Sequence, residues 1–131
     1  MNYLISILLA FIPNNTREYP AVLVECYDGD TCTFDINIFD SITYRANIRF
    51  CDIDTPEMNK STKEAAIKAR DEALALMTNR TIKLRFPLNT KQNFQKTFDR
   101  YLAYIIADDI DVGATLVKRE FAVWSDKKCI K

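Results

Sequence analysis

One amphipathic helix interrupts what otherwise reads as a succession of strands, and its position limits what the chain can fold into. Residues 61–77 read STKEAAIKARDEALALM. STKE has the form of a capping box, with Ser61 or Thr62 as N-cap and Glu64 reaching back. Ala65, Ala66, Ala69, Ala73, Leu74 and Met77 supply an apolar stripe at helical spacing that ends near Asn79. Upstream, residues 21–27 and 31–39 are predicted to form a hairpin about YDGDT, since an Asp-Gly pair between β-prone runs is a strong hairpin signal. In 43–53, Tyr44, Ala46, Ile48 and Phe50 alternate with Arg45, Asn47 and Arg49, as in a half-buried strand. Downstream, 81–86 and 100–106 read as two more strands, and 111–124 contains a short second helix. Three strands, a helix, two strands and a helix is the arrangement of an OB-type barrel. The expected fold class is α+β, mainly β: a five-stranded OB-fold barrel with two helices. Such barrels commonly bind oligonucleotides, but fold alone does not establish function.

Composition then narrows the chemistry. The chain of 131 residues has no histidine, which removes His-based triads, imidazole general bases and imidazole metal sites. Its four cysteines, Cys26, Cys32, Cys51 and Cys129, show no CxxC spacing, so a structural zinc site is not expected. They read as small apolar core residues, with Cys26 and Cys32 placed to be cross-strand neighbours. Any metal must therefore be held by carboxylates, which suits a hard cation such as Ca²⁺ or Mg²⁺. Charge is balanced at 18 basic and 18 acidic residues, but unevenly: residues 1–44 carry one basic and six acidic side chains, and 45–100 carry twelve basic and seven acidic. An acidic site beside a basic surface suits a phosphodiester substrate.

Residues 17–131 are expected to form the domain, behind an apolar N-terminal extension, 1–16. Within it YLISILLAFI, residues 3–12, is too short to span a bilayer as a helix. It reads as a helix or strand docked on the domain; a signal or membrane anchor is the alternative, and localisation stays open between them.

Several carboxylates and arginines acquire meaning only together. Asp28 and Asp30 sit in the YDGDT turn, and Asp54 and Glu57 sit where the third strand gives out at Pro56. Each alone is an ordinary turn or strand end. Taken together, Asp28, Asp30 and Asp54 can converge as oxygen ligands, and Arg49 and Arg100 supply planar donors matched to phosphate. Glu57 is a carboxylate able to take a proton from water. A divalent cation, two guanidiniums and one base are the parts needed to cleave a phosphodiester.

The stretches YDGDT, RFCDIDTPE (49–57) and DRYLAYI, followed by TLVKREFA, resemble the staphylococcal (micrococcal) nuclease, or thermonuclease-like, family in order and approximate spacing, from about Tyr19 to Trp124. The resemblance implies a hydrolase that cuts DNA and RNA with little sequence preference and leaves 3′-phosphate ends. It implies one Ca²⁺ held by Asp30, Asp54 and the backbone carbonyl of Thr55, with Asp28 acting mainly through bound water. Oxygen ligands would accept Mg²⁺ or Mn²⁺ as well. Glu57 would orient or deprotonate the attacking water, and Arg49 and Arg100 would grip the scissile phosphate. A monomer acting on single-stranded nucleic acid, with no protein partner, is expected.

Departures from the family pattern are also visible. Asp52 stands where a glycine is common, and its carboxylate is free to strengthen metal binding, neutralise an arginine or face water. A Lys-Tyr pair before the second arginine reads Thr97-Phe98 here, with Lys91 or Lys96 as substitutes for the lysine. The chain given ends at Lys131, ahead of the prototype's third helix and base-stacking tyrosines, so weaker substrate binding is expected. The alternative function is a non-catalytic OB module binding single-stranded nucleic acid or protein.

Overall fold

The computed structural model describes residues 15–130; the apolar stretch 3–12 lies outside them. Strands β1 (Thr16–Asp28) and β2 (Thr31–Phe39) form the expected hairpin, and β3 (Ile42–Phe50) pairs back on β2. Two-residue β4 (Ile53–Asp54) precedes helix α1 (Lys63–Met77), which is followed by β5 (Ile82–Pro87), the short β6 (Lys96–Thr97) and β7 (Arg100–Ala107). The chain continues through β8 (Ile110–Asp111), helix α2 (Val112–Lys118) and β9 (Val123–Trp124). Antiparallel pairing runs β3–β2–β1–β5–β7, and β7 returns to β3 in parallel, so five strands close into a barrel. This is the OB-fold, α+β arrangement that the element order implied.

Strand alternation fills the barrel. Phe34, Ile48, Phe50, Leu84 and Ile105 point inward, each at most 2% exposed, and burial of such a side chain contributes about 1.5–3 kcal/mol. Helix α1 buries Ala66, Ala69, Ala73, Leu76 and Met77. Ala65 is exposed and Leu74 only half-buried, so the apolar stripe runs slightly differently from the expected one. The capping box does not form: Thr62 is the N-cap but makes no side-chain cap bond. Its hydroxyl donates instead to the Glu57 carbonyl at 2.6 Å, while Asn59 Oδ1 accepts the Ser61 and Thr62 N–H groups at 3.2 Å. These bonds tie the helix start to the loop that carries Glu57. Among the described residues no helix is long and apolar enough to cross a membrane.

The small residues of α1 bring its backbone against the β1–β2 turn. Gly29 takes no positive φ, so left-handed geometry is not what requires glycine here. A Cβ at this position would stand 2.8 Å from Thr55 Cγ2 and 2.9 Å from Ala69 Cβ. Gly29→Ala is therefore expected to cost about 1–3 kcal/mol through overpacking and to move Asp30. A urea denaturation midpoint equal to that of the parent protein would contradict the close approach.

The cysteines are paired, which corrects their reading as separate apolar residues. Cys26 and Cys32 face each other across the hairpin and are bonded, and Cys51 bonds Cys129, 78 residues away in sequence. Cross-linking restricts the unfolded chain more when the closed loop is longer, typically by about 2–4 kcal/mol. Cys51→Ser/Cys129→Ser is thus expected to lose more stability in guanidinium than Cys26→Ser/Cys32→Ser, whose loop spans 6 residues. The reverse ranking, or four titratable thiols in the native protein, would contradict this.

Candidate active site

The reversal in YDGDT is Gly29-Asp30, between the paired residues Asp28 and Thr31, and both turn residues are buried. A turn normally faces water; this one is pressed inward by α1 and by the loop after β4. Its burial decides the electrostatics of Asp30, whose side chain is 9% exposed. Asp30 Oδ2 accepts the Thr55 N–H at 2.8 Å, and Oδ1 accepts the Thr31 hydroxyl at 3.2 Å. Arg49 Nη2 lies 3.4 Å from the same Oδ2. A desolvated carboxylate is thereby kept with a counter-charge and hydrogen bonds, the condition for burying it at all.

Arg49 is itself locked. Nη1 donates to the Phe50 and Ile53 carbonyls at 2.8 and 2.9 Å, and Nη2 pairs with Asp54 Oδ1 at 2.6 Å. Asp54, about half exposed, and buried Asp30 therefore converge on one guanidinium nitrogen. Asp28 stands just behind, its Oδ1 accepting the Asp30 N–H at 3.1 Å. Burial, then the negative charge of Asp30, pushes the Asp28 carboxyl up to about 6. Burial and the neighbouring Asp30 thus disfavour the ionised form of Asp28.

Strand pairing brings the second arginine close. In the parallel β3–β7 pair Arg100 lies opposite Asn47, and in β2–β3 Thr31 lies opposite Arg49. Arg100 Nη1 reaches the Thr31 hydroxyl at 3.3 Å. Thr31 thereby bridges the Asp30 carboxylate and Arg100. Alternation on β7 turns Ala103 and Ile105 inward. Arg100 and Leu102 face a cleft of about 760 Å³ that Arg49, Asp54 and residues 125–130 also line. Arg100 further lines a second cleft of about 640 Å³, with Tyr27, Thr33, Asn47, Met58 and Arg70.

Basic and acidic groups on an OB barrel, with two clefts meeting at an arginine, suit a phosphodiester strand. The model of the staphylococcal nuclease homologue family matches residues 47–129. The chain belongs to that family. No curated protein matches it.

In this staphylococcal nuclease homologue the remaining expected residues divide. Glu57 is exposed on the loop after Asp54, and its carboxylate makes no hydrogen bond or ion pair among the described residues. Lys91 is exposed in the turn ordered by Asn89, and it lines neither cleft. Lys96 turns away, its Nζ 4.9 Å from the centre of the Tyr101 ring, on the aromatic side of the barrel. The structure therefore groups Asp28, Asp30, Arg49, Asp54, Thr55 and Arg100, but does not bring Lys91 or Lys96 to them.

Asp52, left open by its sequence, has a structural role. It adopts φ 71°, and its carboxylate accepts the Tyr104 hydroxyl and the Cys129 N–H, each at 2.7 Å. Burial and this acceptor raise the Tyr104 phenol above its ordinary range. Sequence reasoning missed Lys127 and Lys128, which line the arginine cleft. It also treated Phe98 only as a lost tyrosine, whereas this side chain is 91% exposed beside Thr97, a cleft residue.

The fit to a metal ion can be tested on these atoms. Asp30 and Asp54 both approach Arg49 Nη2, and among the described residues the adjacent Thr55 Oγ1 is buried without a hydrogen-bond partner, so the side-chain donors beside that guanidinium are hard oxygens. Among the described residues no three acidic or thiol side chains stand close enough to hold an ion by themselves. A cation would need backbone carbonyl and water oxygens to complete its shell, as Ca²⁺ commonly does.

Proposed function

We propose that the protein is a calcium-dependent nuclease that hydrolyses phosphodiester bonds of DNA and RNA, preferring single strands, and leaves 3′-phosphate ends. The observation that carries this reading is the convergence of Asp30 and Asp54 on Arg49, with Arg100 tied to the same turn through Thr31. Asp30, Asp54 and the Thr55 carbonyl would hold the ion, with Asp28 acting through water. When bound, a hard divalent cation supplies polarisation of the phosphate. Arg49 and Arg100 orient the phosphate and neutralise the charge that gathers on its oxygens. Glu57, carrying no competing partner among the described residues, would accept a proton from attacking water.

A second reading has its own support. The Arg49 guanidinium is itself a cation paired with both Asp30 and Asp54, as a non-catalytic OB module binding single strands or protein would allow. Metal binding separates the two. Calcium at a hundredfold excess over its Kd should stabilise the fold by about 2.7 kcal/mol, and Asp54→Ala should abolish that gain. A thermal unfolding curve that calcium does not move would favour the binding module.

A further inference from the structure

We propose that Lys127 and Lys128 are phosphate contacts for the nucleic-acid strand lying along the arginine cleft, presented there by a strap anchored at both ends. The inference rests on the reading of nucleic acid as the substrate. The strap is the segment from Val123 to Ile130. At its start β9 pairs with β4, Trp124 opposite Ile53 and Val123 opposite Asp54, so it lies directly beside Asp54. The Ser125 N–H then donates to the Asp52 carbonyl at 2.7 Å. At its far end Cys129 is bonded to Cys51, its N–H donates to Asp52 Oδ1 at 2.7 Å, and its carbonyl accepts from Gln95 Nε2 at 2.7 Å.

Between these anchors Asp126, Lys127 and Lys128 are all exposed and all line the cleft with Arg49 and Arg100. Of the carboxylates lining the cleft with them, Asp54 holds Arg49, and Asp52 holds Tyr104 and Cys129. Neither lysine forms an ion pair among the described residues; the Lys128 ammonium rests 4.8 Å from the centre of the Trp124 ring. Asp126 leaves these three residues with a net charge of +1. A strap fixed at both ends offers its cations without the cost of ordering a free tail on binding. The segment is therefore a wall of the cleft that carries two basic side chains.

The test is the salt dependence of binding. Anisotropy of a labelled single-stranded oligonucleotide is titrated with the Glu57→Ala protein, in calcium, at several KCl concentrations. Each phosphate contact on a single strand contributes about 0.7 to the slope of log K against log[salt]. Lys127→Gln/Lys128→Gln on this background should therefore reduce the slope by about 1.4. Lys68→Gln/Lys83→Gln, which alters lysines that line neither cleft, should leave it unchanged. An unchanged slope in the strap variant, with its unfolding temperature preserved, overturns the inference while leaving nuclease activity standing. A reduced slope in a protein whose parent never cleaves sustains the lysine contacts and sinks the nuclease reading. No binding by the parent overturns both.

Discussion

Glu57→Ala is expected to slow phosphodiester cleavage by about 10²–10⁴, the range for a lost general base, with little change in thermal stability. The side chain is exposed and makes no hydrogen bond or ion pair among the described residues, so its removal breaks no hydrogen bond or ion pair there. Its loop is held by the backbone instead: the Glu57 carbonyl accepts the Asn59 N–H at 2.8 Å and the Thr62 hydroxyl at 2.6 Å. Those bonds survive truncation beyond the backbone, so the change should act on kcat alone. Glu57→Gln, which keeps the shape and loses the base, should be as slow as the alanine variant. An unchanged rate in either would remove Glu57 from the chemistry.

Arg100→Ala is expected to lower kcat by about 10²–10³, as for loss of one donor to developing charge. The two arginines are not equivalent as tests. Arg49 holds buried Asp30 and two backbone carbonyls, so its loss would strand a desolvated carboxylate and confuse unfolding with catalysis. Among the described residues Arg100 gives up only the 3.3 Å bond to the Thr31 hydroxyl. Its variant should melt near the parent protein. Lys in its place should recover little, because an ammonium lacks the planar pair of donors. A loss below tenfold would make Arg100 a structural residue.

How much of this was legible in the sequence depended on how local the cause was. Barrel strands and α1 were readable because alternation and helical spacing are properties of neighbours: Ile48 and Phe50 turn inward as their pattern required. The capping box did not form; Thr62 instead ties the helix start to the Glu57 carbonyl, a contact with the preceding loop that the STKE pattern cannot display. YDGDT announced a turn but not a buried one, since that depends on Ala69, forty positions on, and on Thr55. The same distance hid the Cys51–Cys129 bond and the Asp52 contacts to Tyr104 and Cys129. Lys91 and Lys96 both stand in the loop before Arg100, where either could replace the lysine of the family pattern. Strand alternation sent Lys96 to the Tyr101 side and its neighbour Thr97 to the cleft. Lys127 and Lys128 carried no signal at all until β9 folded back on β4.

The most direct measurement is cleavage of denatured DNA and of RNA by the purified protein, with calcium, with magnesium and with chelator, beside an Asp30→Ala/Glu57→Ala control. Calcium-dependent cleavage of both polymers, giving 3′-phosphate ends and absent from the control, is the expected result. A folded protein that binds the strands but cuts neither under any of these conditions would contradict it, and would leave the barrel a binding module.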